Sequence, residues 1–209
     1  MPERVLLASG GLDSCVLAHW LEAQGLDFVP LFVDYGQHCR EQEYQTLLQV
    51  LPLKYQSLVE TLDVSAIYLG STSRLIKAPD LWTDHVVAED FYLPYRNLLL
   101  LSVAAAWAQA RGIGQVYAAF INSNHAKEID ATARFLEDLE RMLKDYGGVR
   151  VLTPFREFSK SQVAAIGLSL GAPIALTFSC QANTQVHCGA CPNCVERLKA
   201  LSDAMEQGV

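Results

Sequence analysis

Charge is scarce in this 209-residue chain, and positive charge is scarcer. Charged residues make up 19%, and 16 lysines and arginines stand against 23 aspartates and glutamates, for a formal net charge of -7. Without a basic excess there is no sequence-independent attraction to phosphate backbones or anionic bilayers, so neither nucleic acid nor a membrane is expected as a partner. Long hydrophobic runs are missing too. The longest near-continuous one, 98–108, is about half the roughly 20 residues a spanning helix needs, and it reads as a buried core helix. No secretory pattern opens the chain, since a short apolar run after Arg4 leads at once into Ser9-Gly10-Gly11; a cytoplasmic location is expected. Internal repeats, low-complexity tracts and linkers are absent. What remains abundant is apolar side chain, 51%, enough for a true core and too much for a disordered polymer. The length fits one domain of ordinary size, or one with a small appendage.

β-rich runs at 5–8, 28–33, 56–59, 115–119 and 149–153 alternate with helical patterns at 13–23, 40–50, 97–111, 130–145 and 159–170. That alternation predicts an α/β fold, a parallel sheet with helices on its faces. Gly25, Gly112, Gly147-Gly148 and Gly171 stop four of the helices and Pro52 a fifth, while Ser159 and Gln162 match a capping box. Pro30 weakens the second strand. The 70–96 stretch has no clear period and reads as a long irregular excursion, a kind of segment that often carries function. Residues 1–173 are expected to form the α/β domain, and 174–209 a cysteine-rich element packed on it.

Ser9-Gly10-Gly11-Leu12-Asp13-Ser14 falls where the first strand meets the first helix. Two glycines admit a ligand close to the backbone, and successive N–H groups at a helix N-terminus favour an anion, with the Ser9 and Ser14 hydroxyls as further donors. Neither the dinucleotide fingerprint nor the lysine-bearing Walker loop is present. Asp34-Tyr35-Gly36-Gln37 follows the second strand, where doubly wound sheets place ligands, although an ordinary strand-end turn would read the same. Arg96 precedes the apolar helix and suits a phosphate or carboxylate; Asn97 beside it also reads as a helix cap. Lys160 opposes the dipole of the helix it opens, a conflict that a bound anion or plain solvation would resolve.

Cys180, Cys188, Cys191 and Cys194 offer four thiolates within fifteen residues, and the Cys-x2-Cys steps suit tetrahedral Zn²⁺. Four protein ligands leave no open position, which makes the metal structural. An iron–sulfur cluster and a dithiol redox pair are the competing readings, and His187 is available as a substitute ligand but reads as a surface histidine. Cys15 and Cys39 read as buried or free thiols.

Ser-Gly-Gly-x-Asp-Ser resembles the pyrophosphate loop of the ATP pyrophosphatases. With Asp34-Tyr35-Gly36-Gln37, Arg96-Asn97, the Lys160 helix, the four cysteines and Arg197, residues 4–201 resemble the 7-cyano-7-deazaguanine synthase (QueC) family. The resemblance implies a doubly wound sheet of adenine-nucleotide hydrolase, Rossmann-like type carrying a C-terminal four-cysteine zinc element. It implies that ATP with Mg²⁺ adenylates 7-carboxy-7-deazaguanine, that ammonia gives an amide, and that a second activation yields the nitrile. Ser9, Gly10, Gly11, Leu12, Asp13 and Ser14 would hold the triphosphate, with Asp34, Tyr35, Arg96 and Asn97 completing the nucleotide site. Asp13 and Lys160 would be catalytic, and Arg96 with Asp130 would bind the acid. Three departures fall on the acceptor side: the 122–132 segment keeps only Asp130 of the family's pocket motif, Tyr95 replaces a glycine, and Gln181 replaces an aromatic. A paralogue with another acceptor, such as a phage-defence enzyme joining a deazaguanine to a protein, therefore stays open, as does a non-catalytic ATP-binding module. Apolar surface near the 70–96 excursion would suit a homodimer.

Overall fold

A computed structural model describes residues 3–80, 83–84, 87–121, 131–181 and 186–206. Five parallel strands, β1 (Arg4–Leu7), β2 (Val29–Asp34), β3 (Glu60–Asp63), β4 (Gln115–Ala118) and β5 (Arg150–Leu152), form one sheet in the order β3-β2-β1-β4-β5. The period-2 alternation of side chains sends Leu6, Phe32 and Tyr117 to one face, where α1 (Leu12–Ala23), α2 (Arg40–Val50), α5 (Lys160–Ser169) and α6 (Pro192–Glu206) cover them. Val5, Leu31, Val33, Val116 and Val151 go to the other, under α3 (Arg96–Gln109) and α4 (Ala133–Gly147). Burial on both faces is why these strands read as near-continuous apolar runs. Strand order reverses direction between β1 and β4, so the crevice at their carboxyl ends is the expected ligand position.

Pro30 sits in β2 without breaking the ladder. Leu31 accepts from the Ala8 N–H at 3.0 Å, so the polar groups of Pro30 face the opposite neighbour, where pairing with β3 begins only at Leu31. The third strand lies four residues later than the expected 56–59. Leu53–Leu58 is instead a 3-10 helix, fixed by Tyr55, which stacks on Phe28 at 3.9 Å and donates its hydroxyl to Asp27 at 2.9 Å. The true strand, Glu60–Asp63, is a largely exposed edge with no apolar run to announce it. The helix expected at 130–145 starts at Ala133, capped by Thr132, whose hydroxyl accepts from the Phe135 N–H at 3.2 Å, and it ends at a left-handed Gly148. Helix α6 was not expected; Pro192 stands at its first position, where a missing N–H costs nothing. It packs on α5, with Ser161 donating to Asp203 at 3.0 Å.

No helix of the described residues is long and apolar enough to cross a membrane.

Candidate active site

A cavity of about 370 Å³, within the usual range for small-molecule sites, opens where β1, β2 and β4 end. Ser9, Gly11, Leu12, Asp13 and Ser14 line it from the glycine turn, Tyr35 and Gln37 from the end of β2, Arg96 and Asn97 from α3, and Lys160 from α5. Gly10 and Asp34 are not among its lining. A Cβ on Gly10 would lie 2.5 Å from the Glu43 carbonyl oxygen and 2.9 Å from the Leu47 nitrogen, and its φ is +73°. Only glycine lets the turn lie that close to α2. Asp34 is spent locally: one oxygen accepts from the Gly36 N–H at 2.9 Å and the other pairs with Arg40. Asp130 lies outside the described residues. Within the turn, the Ser14 hydroxyl donates to the Gly11 carbonyl at 3.1 Å and lies 3.4 Å from the Ser9 hydroxyl.

Lys160 Nζ lies 3.5 Å from Asp13 and 3.2 Å from Glu196, so one ammonium bridges the first turn of α1 and helix α6. Burial opposes its charge, but the two carboxylates outweigh that cost and hold its pKa above the ordinary lysine value. Burial pushes the Asp13 carboxyl up, with Lys160 opposing. The other Asp13 oxygen, Oδ1, is buried with no hydrogen-bond partner among the described residues. An orphaned carboxylate oxygen beside a phosphate-type turn fits a hard cation such as Mg²⁺.

Sequence reasoning missed Glu43, Glu196 and Asn193, which line the cavity, and noted Gln181, which also lines it, only as an acceptor-side departure from the family. Glu43 accepts from the Gln37 amide at 3.2 Å, and burial pushes its carboxyl to about 7. It lies one turn into α2, at the spacing that faces the sheet, and that was its only signal.

Over residues 3–205 the sequence matches the family described as queuosine biosynthesis protein QueC. The chain belongs to the QueC family. It is 32% identical to the 7-cyano-7-deazaguanine synthase of Methanospirillum hungatei, covering 94% of this chain and 93% of that one. The 7-cyano-7-deazaguanine synthase 1 of Desulfitobacterium hafniense is also 32% identical over 94% of this chain and 90% of its own length. The Porphyromonas gingivalis 7-cyano-7-deazaguanine synthase is 31% identical over 97% and 93%. In fold, this chain is similar to the U34-tRNA thiolase NcsA of Methanococcus maripaludis, solved with its [4Fe-4S] cluster. The TM-score is 0.52 and the identity 13%, with 98% of this chain and 66% of that one covered.

The fold brings the four cysteines together. Cys180, Cys188, Cys191 and Cys194 present sulfurs all within 4.8 Å of one another, and the Cys188 and Cys194 sulfurs are 3.9 Å apart. A tetrahedral Zn²⁺ with bonds of about 2.3 Å spaces its sulfurs about 3.8 Å apart, so the donor set fits one ion. A four-iron cluster places its own atoms between the thiolates and spreads them wider. His187 is not a loose surface residue: its Nε2 hydrogen-bonds the Thr177 carbonyl at 2.9 Å, and its ring packs on Phe178. Cys39 packs beside the cluster and donates to the Cys180 carbonyl at 3.4 Å. Cys15 is buried in α1, and burial pushes its thiol to about 12, which leaves it inert. Arg197 is structural, donating from one nitrogen to the Ile174 and Ala175 carbonyls at 2.9 Å each and so tying α6 to the chain before the cysteines.

Proposed function

We propose that this QueC-family enzyme converts 7-carboxy-7-deazaguanine and ammonia to 7-cyano-7-deazaguanine at the expense of ATP, as a carbon–nitrogen ligase in queuosine precursor synthesis. The relatives' name supplies the product. The observation that carries the chemistry is the Asp13–Lys160 pair at the mouth of the glycine turn.

In this reading the carboxylate of the acid attacks the α-phosphorus of ATP, and pyrophosphate leaves. Ammonia then displaces AMP from the acyl-adenylate with loss of a proton, giving the amide. The amide oxygen attacks a second ATP, pyrophosphate leaves again, and loss of AMP together with both nitrogen-bound protons gives the nitrile. The backbone N–H groups of the turn and the N-terminus of α1 bind the phosphates. Lys160 compensates the charge that builds on the leaving pyrophosphate, and its two carboxylates keep it protonated for that task. Asp13 Oδ1 would hold the Mg²⁺ that accompanies ATP. Arg96 takes the acid's carboxylate, with Asp130 assigned to the same substrate. Cys180, Cys188, Cys191 and Cys194 would hold Zn²⁺, which supplies structure, since no coordination position is left for a reactant.

The test is pyrophosphate release and product mass with Mg-ATP, ammonium and 7-carboxy-7-deazaguanine. The nitrile is expected with two AMP per product, and Asp13→Asn should lower release at least a hundredfold, as removal of a charge-stabilising group typically does. A product that stops at the amide or acyl-adenylate would keep the activation and point to another acceptor. No release would overturn the ligase reading.

A further inference from the structure

One wall of the cavity is built by the zinc-side chain: Phe178, Ser179 and Gln181 before the cluster, Asn193 and Glu196 on α6. Glu196 pairs with Lys160. Gln181 differs, because it is only 7% exposed and its Oε1 has no hydrogen-bond partner among the described residues. A buried carboxamide oxygen left without a donor is costly, and native proteins satisfy nearly all such atoms. Its backbone has little freedom to turn it elsewhere. The Phe178 N–H donates to the Gly10 carbonyl at 3.1 Å, and the Cys180 carbonyl accepts from Cys39, so the segment is pinned to the glycine turn and to the start of α2.

We propose that Gln181 determines specificity, its Oε1 accepting a hydrogen bond from an N–H of the heterocycle bound in the cavity. This rests on the ligase reading above. An amide oxygen only accepts, so its complement in the ligand is a donor. Both heterocycles of the reaction carry one: the lactam and amino edge of the deazaguanine acid, and the amino group of adenine. A site built around such a bond rejects analogues that lack the donor more strongly than an apolar pocket can.

The experiment compares the full-length, metal-loaded wild type with Gln181→Met, which keeps the side-chain length and removes the acceptor. Gln181→Glu, which keeps an acceptor, serves as the second variant. KM and kcat are measured for the acid and for ATP, and each is repeated with an analogue fully methylated at its donor nitrogen, so that no N–H remains there. One of the two KM values should rise about tenfold in Gln181→Met, with a smaller change in kcat, as expected for one lost hydrogen bond. Which KM moves identifies the source of the donor. In that arm the methylated analogue should be penalised in wild type and not in the variant, and Gln181→Glu should recover most of the lost affinity. A structural role alone would not produce that coupling. Both KM values within twofold of wild type, or an equal analogue penalty in both proteins, would overturn the proposal. If wild type releases no pyrophosphate, the ligase reading has failed by itself. The same proteins are then compared by direct binding of the acid and of ATP, where equal affinities overturn the role of Gln181 and a selective loss upholds it.

Discussion

Glu43 occupies an expensive position for an acid. It faces the cavity from α2, and burial raises its pKa to about 7 against the opposing hydrogen bond from Gln37 and the charge of Arg96. In the unfolded chain the same carboxyl loses its proton near pH 4.3. Between about pH 4.3 and 7 the folded state therefore binds more protons than the unfolded state, and stability falls as pH rises through that window, levelling off above it. The loss amounts to about 2–3 kcal/mol, at roughly 1.4 kcal/mol per unit and discounted for the partial exposure of the side chain. Glu43→Gln stays neutral throughout and keeps an acceptor for Gln37, so its melting temperature should decline less than that of wild type between pH 5 and 8. Parallel pH profiles for the two proteins would show that Glu43 does not titrate in this range. Beyond its helical spacing the acid carries no site signal in the sequence, because one glutamate in a charged stretch of helix looks like solvated surface until α2 is seen packed against the glycine turn.

At the level of elements, what could be read in advance depended on whether the determining contact is local. The turn 9–14, the capping box at Ser159 and the helix 40–50 are written in adjacent residues, and they stand where the residues put them. The strand Glu60–Asp63 is defined only by its pairing with β2, and Tyr55 holds the apolar residues before it in a 3-10 turn by stacking across to Phe28. Helix α6 was hidden for a similar reason: its alanines gain meaning only against α5 and the core. Tyr95 shows a local signal that a backbone measurement sharpens. It caps α3 at φ +59° and ψ 14°, left-handed for a non-glycine residue, and its side chain is 72% exposed, so packing does not reward the conformation. Left-handed backbone costs an ordinary residue roughly 1–2 kcal/mol, and glycine avoids most of it while adding freedom to the unfolded chain. Tyr95→Gly should therefore raise unfolding free energy by about 1 kcal/mol in urea titration at unchanged m-value. A destabilised Tyr95→Gly would mean that the exposed ring makes a contact worth more than the backbone strain.

For the molecule as a whole, the four-cysteine cluster and the cavity share a wall. The chain leaves α5, crosses the glycine turn through the Phe178–Gly10 hydrogen bond, supplies Cys180 and Gln181, and returns through Cys188, Cys191 and Cys194 into α6, which carries Asn193 and Glu196 to the cavity. Four closely spaced thiols have no covalent link among them, since none of the six cysteines forms a disulfide. An ion held by the four would add a restraint on the position of that wall, while most of the two large apolar clusters on the faces of the sheet comes from other elements. Removal of the metal by a chelator should leave the helical far-ultraviolet signal nearly intact, lower the melting temperature, and reduce pyrophosphate release at least tenfold, with recovery on adding Zn²⁺. Because a closed four-thiolate site offers no position to a reactant, Co²⁺ in place of Zn²⁺ should restore kcat to within about twofold, whereas a metal taking part in the reaction would change it with the ion. Full activity in the metal-free protein would show that α6 holds the wall without the cluster, through its packing on α5 and the Arg197 bonds to Ile174 and Ala175.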